Sequence, residues 1–322
     1  MANVLTNLAA DIYKAAELVG FIPSITVNAG AERAALNDVV RSHFTRVATV
    51  VTPTPSMAIP EGTDQTVDNK TLTVDTPLSV QIPWTGEDMK HVNNGSGFET
   101  IYGDQVKQAF RAIVNAIEAK IAMAAKLGAS RAYGTAGTTP FSSNFNELPQ
   151  LRKILADNGC PMDGQLSVIM NSTAGANLRS LAQLQKANEA NSTELLRQGT
   201  LLDLQGFMLK ESAGIAPHTK GTGASYVTSG ATAPGVGSIA LVTGTGTVLA
   251  GDVVTFAADA VNKYVVNTGV AAPGTIVLGD PGAQVTIATA NALTVGNNYT
   301  PNVALHRSAV ELAMRPMAEP DG

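Results

Sequence analysis

After Asp104, apolar residues recur at Val106, Phe110, Ile113, Ile117, Ile121 and Ala124, every third or fourth position, while Lys107, Arg111, Glu118 and Lys126 fall mostly off that line. The spacing predicts one long amphipathic helix within residues 96–134, its regular part capped by Asp104. At about 1.5 Å per residue, a helix of roughly 25 to 30 residues is a rod of about 40 Å, two to three times the usual globular length. The stripe alone suits a core helix of an α+β enzyme or one half of a coiled-coil hairpin. The segments on either side decide what the rod is for.

Ahead of it, residues 8–19 carry a short amphipathic pattern that Gly20 and Phe21-Ile22-Pro23 end, and Ala31–Val40 reads as a second short helix. Together they form an arm too small to bury its own apolar face, which packs on its parent domain or on a neighbouring subunit. From Arg46 to Val92 the period changes to two. Val47, Val50 and Val51, then Leu72, Val74, Leu78, Val80 and Ile82, read as two strand arms interrupted by Pro53, Pro55 and Pro60 and joined by a turn over Glu61–Thr66. A lone two-stranded hairpin is marginal in water, and proline marks strands as edges. The hairpin is therefore expected to draw its stability from a partner, for which an adjoining subunit is the economical candidate.

Beyond the rod, a Gly/Thr/Ser/Pro loop over Gly134–Asn146 leads to a helix over Leu148–Asn158 closed by Gly159, then to a short buried strand, Leu166–Met170. Asn171–Ser180 restarts a helix with Asn171 or Ser172 as cap, Asn188–Gly199 is polar, and Thr200–Glu211 reads as a strand pair or a strand kinked at Gly206. From Gly221 to Thr300 the chain turns to Gly, Thr, Ala and Val, with Asp252, Asp259, Lys263 and Asp280 as its main charges. Short β runs at Ser238–Val242, Val253–Ala257, Lys263–Val266, Thr275–Leu278 and Gln284–Ala288, separated by glycines, predict a small barrel or sandwich inserted into the α/β unit. Asn302–Pro316 reads as strand, turn and strand.

Composition narrows the function. The 322 residues supply ample core material, but only 15% are charged, and the net charge is −5. A surface so poor in charge exposes Thr, Ser, Asn and Ala or is hidden against copies of itself. No basic stripe exists to release counterions from phosphates, so free nucleic-acid binding is disfavoured, whereas a shell merely enclosing nucleic acid would tolerate the balance. Cys160 is the one cysteine, which excludes an intrachain disulfide and a zinc cluster. No leader pattern and no long apolar run is read, so synthesis in the cytoplasm is expected. His43, His91, His218 and His306 have no carboxylate or second histidine at metal-ligand spacing and read as structural. Gly221-Thr-Gly223 and Gly244-Thr-Gly246 match no complete phosphate-loop pattern and read as turns. Asp75, Glu87 and Asp88 lie on or beside the hairpin and read as solvated. No catalytic residue, cofactor or metal is expected.

The order of arm, hairpin, rod, α/β unit and final strand pair resembles the major capsid proteins of tailed double-stranded DNA bacteriophages. Leu148–Asn158 followed by Gln165–Met170 resembles that family's axial-domain helix, loop and strand. Glu194–Ser212, through Gly206-Phe207, is similar to its recurrent run ending in Gly-Phe, a few apolar residues and Ser. Asn302-Val-Ala-Leu-His-Arg-Ser-Ala-Val-Glu-Leu-Ala-Met-Arg-Pro316 closely matches its strand near the end. Residues 221–300 point to the branch with a β-barrel inserted in the axial domain.

The resemblance implies an α+β chain with the tailed-phage and herpesvirus major capsid fold: N-terminal arm 1–45, extended hairpin loop 46–95, peripheral domain with spine helix 96–146, axial domain 147–220, inserted all-β domain 221–300, and return strands 301–322. It implies a non-enzymatic virion protein, made in the host cytoplasm, that closes pentamers and hexamers of itself into an icosahedral shell around DNA without sequence-specific binding and without a membrane. Candidate intersubunit contacts are Arg46, Met57, Ile59, Glu61, Asp64, Asp68 and Lys70. Few residues precede the hairpin, so a separate scaffolding protein is expected, with a portal and a cement or decoration protein as further partners. Family members usually continue for tens of residues past the equivalent of Arg315-Pro316, which puts truncation or altered strand connectivity in question here. In some capsid shells a lysine placed like Lys70 forms an isopeptide bond to another subunit's asparagine, but no partnered Asn and Glu is legible in this sequence. Alternatives are a nanocompartment shell of the same fold, which would load enzyme cargo, and a binding module acting through the inserted β-domain.

Overall fold

The computed structural model describes residues 19–45, 67–83, 85–87, 90, 98–186, 201 and 203–318. It is an α+β chain in two compact units, Met1–Thr26 with Val80–Val310 and Val27–Ser79 with Glu311–Gly322. In the smaller unit β1 (Thr26–Ala29) pairs with the last strand of the chain, and β2 (Val39–Thr45) pairs antiparallel with β3 (Val67–Thr73) over seven residue pairs, from Val39 opposite Thr73 to Thr45 opposite Val67.

The strand arm thus starts inside the segment that reads as a helix over Ala31–Val40. The alanine-rich run loses its helical preference to specific hydrogen bonds: Ala34 N–H donates to Pro316 O, Ala35 N–H to the Asp38 carboxylate, and Asn37 turns the chain at a φ of 73°. Residues 74–83, expected as strand, have no ladder partner; among them Val74 exchanges hydrogen bonds with the Asn37–Asp38 turn.

In the larger unit the described residues include the 3-10 turn Ile22–Ser24 and α1 (Phe98–Leu127), a helix of 30 residues; the amphipathic pattern over residues 8–19 falls almost wholly outside the described residues. It begins before Asp104, so that residue does not cap it; Asp104 instead pairs with Lys107 at 3.3 Å on the exposed surface. After the short strand β4 (Arg131–Ala132) come α2 (Glu147–Asp157), the fully buried β5 (Leu166–Met170), α3 (Ser172–Ser180), α4 (Ala182–Gln185) and β6 (Met208–Glu211). Asn171 caps α3 through its side chain, which accepts from Ala174 N–H at 3.0 Å. A tight turn with positive φ at Gln205 and Gly206 pairs Leu204 with Phe207 and aims β6 back along β5. β5 runs parallel to β6 and antiparallel to β13 (Val303–His306), and α2, α3 and α4 cover this sheet with Leu148, Ala174, Leu178 and Leu184 around Val168 and Phe207.

Between β6 and β13 lie β7 (Val227–Thr228), β8 (Ser238–Val242), β9 (Val253–Phe256), β10 (Asp259–Thr268), β11 (Gly274–Leu278) and β12 (Leu293–Val295). They hydrogen-bond in the order β12-β9-β10-β11-β8-β7, with β4 added on β10. Val227 bridges Ala292 and Leu293 N–H donates to Tyr226 O at 2.9 Å, so the first and last strands meet and the sheet closes into a ring. Tyr226, Ile239, Leu241, Val254, Phe256, Tyr264, Val266, Ile276 and Leu278 fill it, a core separate from the one above. Gln284–Ala288, expected as a strand, makes no ladder; Ile287 bridges Thr232 alone. Pattern reading passes over β7 and β12 because two- and three-residue strands show no alternation. The last described strand is β14 (Glu311–Met314), the partner of β1.

Candidate assembly surface and its polar anchors

Alternation in β2 and β3 should bury one face of the hairpin, but no described side chain on either strand is buried. Val39 is 54% exposed and Val67 62%, and Phe44 also stands in solvent. Asp68 and Lys70 lie on β3 opposite Phe44 and Ser42; Asp68 is half-buried and Lys70 exposed. Arg46, Met57, Ile59, Glu61 and Asp64, the other expected contacts, lie outside the described residues, as does His91.

α1 is divided along its length. From Ile101 to Ile117 no residue is buried, and Val106, Phe110, Ile113 and Ile117 are half-covered at most. Among the described residues of the helix, Ala124, expected on the stripe, is exposed, and the buried positions are Glu118, Ile121, Ala122, Ala125 and Lys126, all in the last ten. Two of these are charged, at spacings that place them on the inner face with Ile121 and Ala122. The reading that put Glu118 and Lys126 off the apolar stripe is therefore incorrect at this end of the helix.

Each buried charge has its partners. The Glu118 carboxylate accepts from three consecutive backbone N–H groups, Gly20 and Phe21 at 2.7 Å and Ile22 at 3.1 Å, and from Ser212 Oγ at 2.7 Å. Successive amides at the start of a 3-10 turn form a concave anion seat, here filled by a side chain from α1. Gly214 lets the backbone pass, since a Cβ there would stand 3.0 Å from Ala119 N. Lys126 Nζ approaches His218 Nδ1 at 3.3 Å, and His218 Nε2 approaches Asp252 at 2.9 Å. Burial lowers the Lys126 ammonium below its ordinary range, and the Asp252 charge partly offsets this.

Arg131 on β4 ties the ring to α2. Its guanidinium donates to Asn262 Oδ1 at 3.3 Å, to the last-turn carbonyl of Ile154 at 3.3 Å and to Asn158 Oδ1 at 3.0 Å. Behind Asn262, Asp259 accepts from the Tyr264 hydroxyl, whose pKa is pushed up to about 12 by burial first and by that bond second. Under β5 and β6, Arg179 grips Glu211 with two bonds of 2.6 and 2.7 Å, which raises the guanidinium pKa further. His306 Nε2 faces Asp163 at 3.1 Å, and the Gln165 N–H, ahead of the histidine, holds that carboxyl below the usual range. Both His218 and His306 thus acquire carboxylates from distant sequence, which spacing could not reveal, yet no group of three metal-ligating side chains exists among the described residues. Nor is any described helix long and apolar enough to cross a membrane.

No family model and no curated protein matches this chain. Among solved structures it is similar to one of Mycobacterium phage Che8, at 15% identity over 86% of this chain and 84% of that one, with a TM-score of 0.44. It is also similar to the capsid of the cyanophage P-SCSP1u, at 12% identity, 91% and 87% coverage and a TM-score of 0.45. A third is the mature capsid of bacteriophage PhiM1, at 11% identity, 89% and 85% coverage and a TM-score of 0.43. Two of the three are named as phage capsids.

Proposed function

We propose that this chain is the major capsid protein of a tailed double-stranded DNA bacteriophage, a non-enzymatic virion protein that self-assembles through pentamers and hexamers into an icosahedral shell around packaged DNA. The observation that carries the reading is the β2–β3 ladder, seven pairs long without a buried described side chain. A two-stranded ribbon of this kind does not stabilise itself in water. A second copy of the chain covers Val39, Phe44 and Val67 in the shell, and Asp68 and Lys70 lie in that contact. The first two-thirds of α1, whose apolar stripe is half-covered, is a second such surface.

The sequence motifs support the same reading at the level of elements. Leu166–Met170 and the stretch around Gly206-Phe207 form adjacent strands, and Asn302–Pro316 forms strand, 3-10 turn and strand. A separate scaffolding protein, a portal and a decoration protein complete the list of proposed partners. The test is negative-stain electron microscopy of the purified full chain, alone and co-expressed with its scaffolding protein. Closed polyhedra or curved sheets are expected. A monodisperse monomer under both conditions would overturn self-assembly as the function.

A further inference from the structure

The base of the ring holds a buried charge relay that shell contacts do not call for. Lys126, in the last turn of α1, is 8% exposed, His218 7% and Asp252 1%. An ammonium has donors and no acceptor, so the 3.3 Å contact assigns His218 Nδ1 as acceptor. The imidazole proton then sits on Nε2 and is donated to Asp252 at 2.9 Å. Asp252 also accepts from Gly221 N–H at 3.1 Å and from Leu249 N–H at 2.8 Å, which fixes it in place.

The groups that face His218 are Lys126 from α1, Asp252 from the turn before β9, and Tyr299 from the segment returning to β13. The Tyr299 ring lies 5.2 Å away, and its hydroxyl donates to Gly251 O at 2.6 Å. Lys220 follows two residues on, exposed, with its backbone N–H on Asn298. His218 and Tyr299 also exchange backbone hydrogen bonds of 2.7 and 3.2 Å, so the chain entering the ring is pinned to the chain leaving it.

We propose that Lys126, His218 and Asp252 form an acid-released tie between α1 and the barrel, in which protonation of His218 expels Lys126. The proton enters from solvent onto the Nδ1 lone pair, and no other covalent bond changes. Nδ1 then becomes a donor facing an ammonium 3.3 Å away, two like charges with little water between them. Asp252 stays with the imidazolium, held by its backbone donors. Lys126 is the member free to move, because its long flexible stem lines a small cavity together with Phe21, Met123, Gly214 and Ala216, whereas Asp252 is held by backbone donors. Histidine is the side chain that ordinarily changes charge between pH 5 and 8. Protonation of His218 therefore frees the end of α1 from the barrel while the His218–Tyr299 neck stays paired.

Hydrogen–deuterium exchange of the unassembled full chain at pH 8 and pH 5.5, corrected for intrinsic exchange rates, tests this without reference to shells. In the wild type, protection over residues 121–127 is expected to fall at least tenfold at the lower pH, with the core strand β5 unchanged. Lys126→Met leaves nothing to expel, and His218→Gln cannot take up the proton; in both, protection over 121–127 is expected to be the same at the two pH values. Either variant that folds suffices. A wild type without the acid loss, or a variant that shows the same loss, overturns the proposal.

Discussion

Glu118 replaced by Gln puts an amide NH2 among donors. The carboxylate now accepts four hydrogen bonds in a site 2% exposed, and the amide offers a single acceptor atom in the same volume. Leaving a buried donor unpaired costs about 1–3 kcal/mol. Urea unfolding of the chain is expected to show a loss of that order for Glu118→Gln, with Ser212→Ala losing less, since it removes one donor and leaves the three backbone bonds. Gly175 gives an opposite-signed test of helix propensity. Alanine in a helix interior normally stabilises by about 0.5–1 kcal/mol over glycine. Here its Cβ would stand 1.6 Å from Glu211 Oε1 and displace the carboxylate from Arg179. Gly175→Ala is therefore expected to destabilise, by about 1–3 kcal/mol for overpacking, measured by the shift in denaturation midpoint.

Tyr264 and Tyr299 set the alkaline limit at the same scale. Each phenol is pushed up to about 12, by burial above all. Between pH 10 and 12 the folded chain keeps protons that the unfolded chain releases, so the stability from these groups is complete below pH 10 and is lost as pH rises towards 12. Denaturant midpoints followed from pH 9 to 11.5 are expected to fall, and to fall less steeply in Tyr299→Phe. None of these residues was legible as a partner in the sequence. A carboxylate on a helix reads as solvated until it is known which backbone amides arrive from 98 residues away, as Gly20 does at Glu118.

Elements were more readable than their partners, because period and punctuation are local while pairing is not. β5 is five apolar-leaning residues between turn signals, and α3 begins where Asn171 can cap it. The hairpin was legible as a hairpin, but its start was displaced, since nothing in Ala31–Val40 announces the hydrogen bonds from Ala34 to Pro316 and from Ala35 to Asp38. Its solvent-facing apolar residues supply the element-scale prediction. Phe44→Asp and Val67→Lys remove no buried contact, so chain stability is expected to change by within about 0.5 kcal/mol in denaturant melts. In the proposed shell contact, a charge at either position is desolvated without a partner, and assembly by electron microscopy is expected to fail. Wild-type shells from both variants would remove the hairpin from the interface.

At the scale of the whole molecule, the ring between β6 and β13 behaves as a self-contained body by three separate criteria. Its core side chains form their own cluster, its first and last strands meet through Val227 and Ala292, and its entrance and exit are joined at His218 and Tyr299. The glycine-rich sequence of this region announced short strands and turns, but closure depends on contacts such as Leu293 N–H to Tyr226 O that no local pattern contains. What ties the ring to the rest of the chain includes β4 on one edge of β10, Arg131 on Asn262, Asn267 on Leu127 O, and Lys126 on His218. Removing those contacts leaves His218 without Lys126 and Asn262 without Arg131 but keeps the ring's apolar core whole. An excised fragment of residues 218–299 is therefore expected to fold alone, giving a cooperative thermal transition and dispersed amide resonances, with a lower midpoint than the same region in the full chain. A fragment without cooperative melting would show that β4 and α1 are part of the ring's stability, and the tie through Lys126 would then be a folding contact as well as a switch.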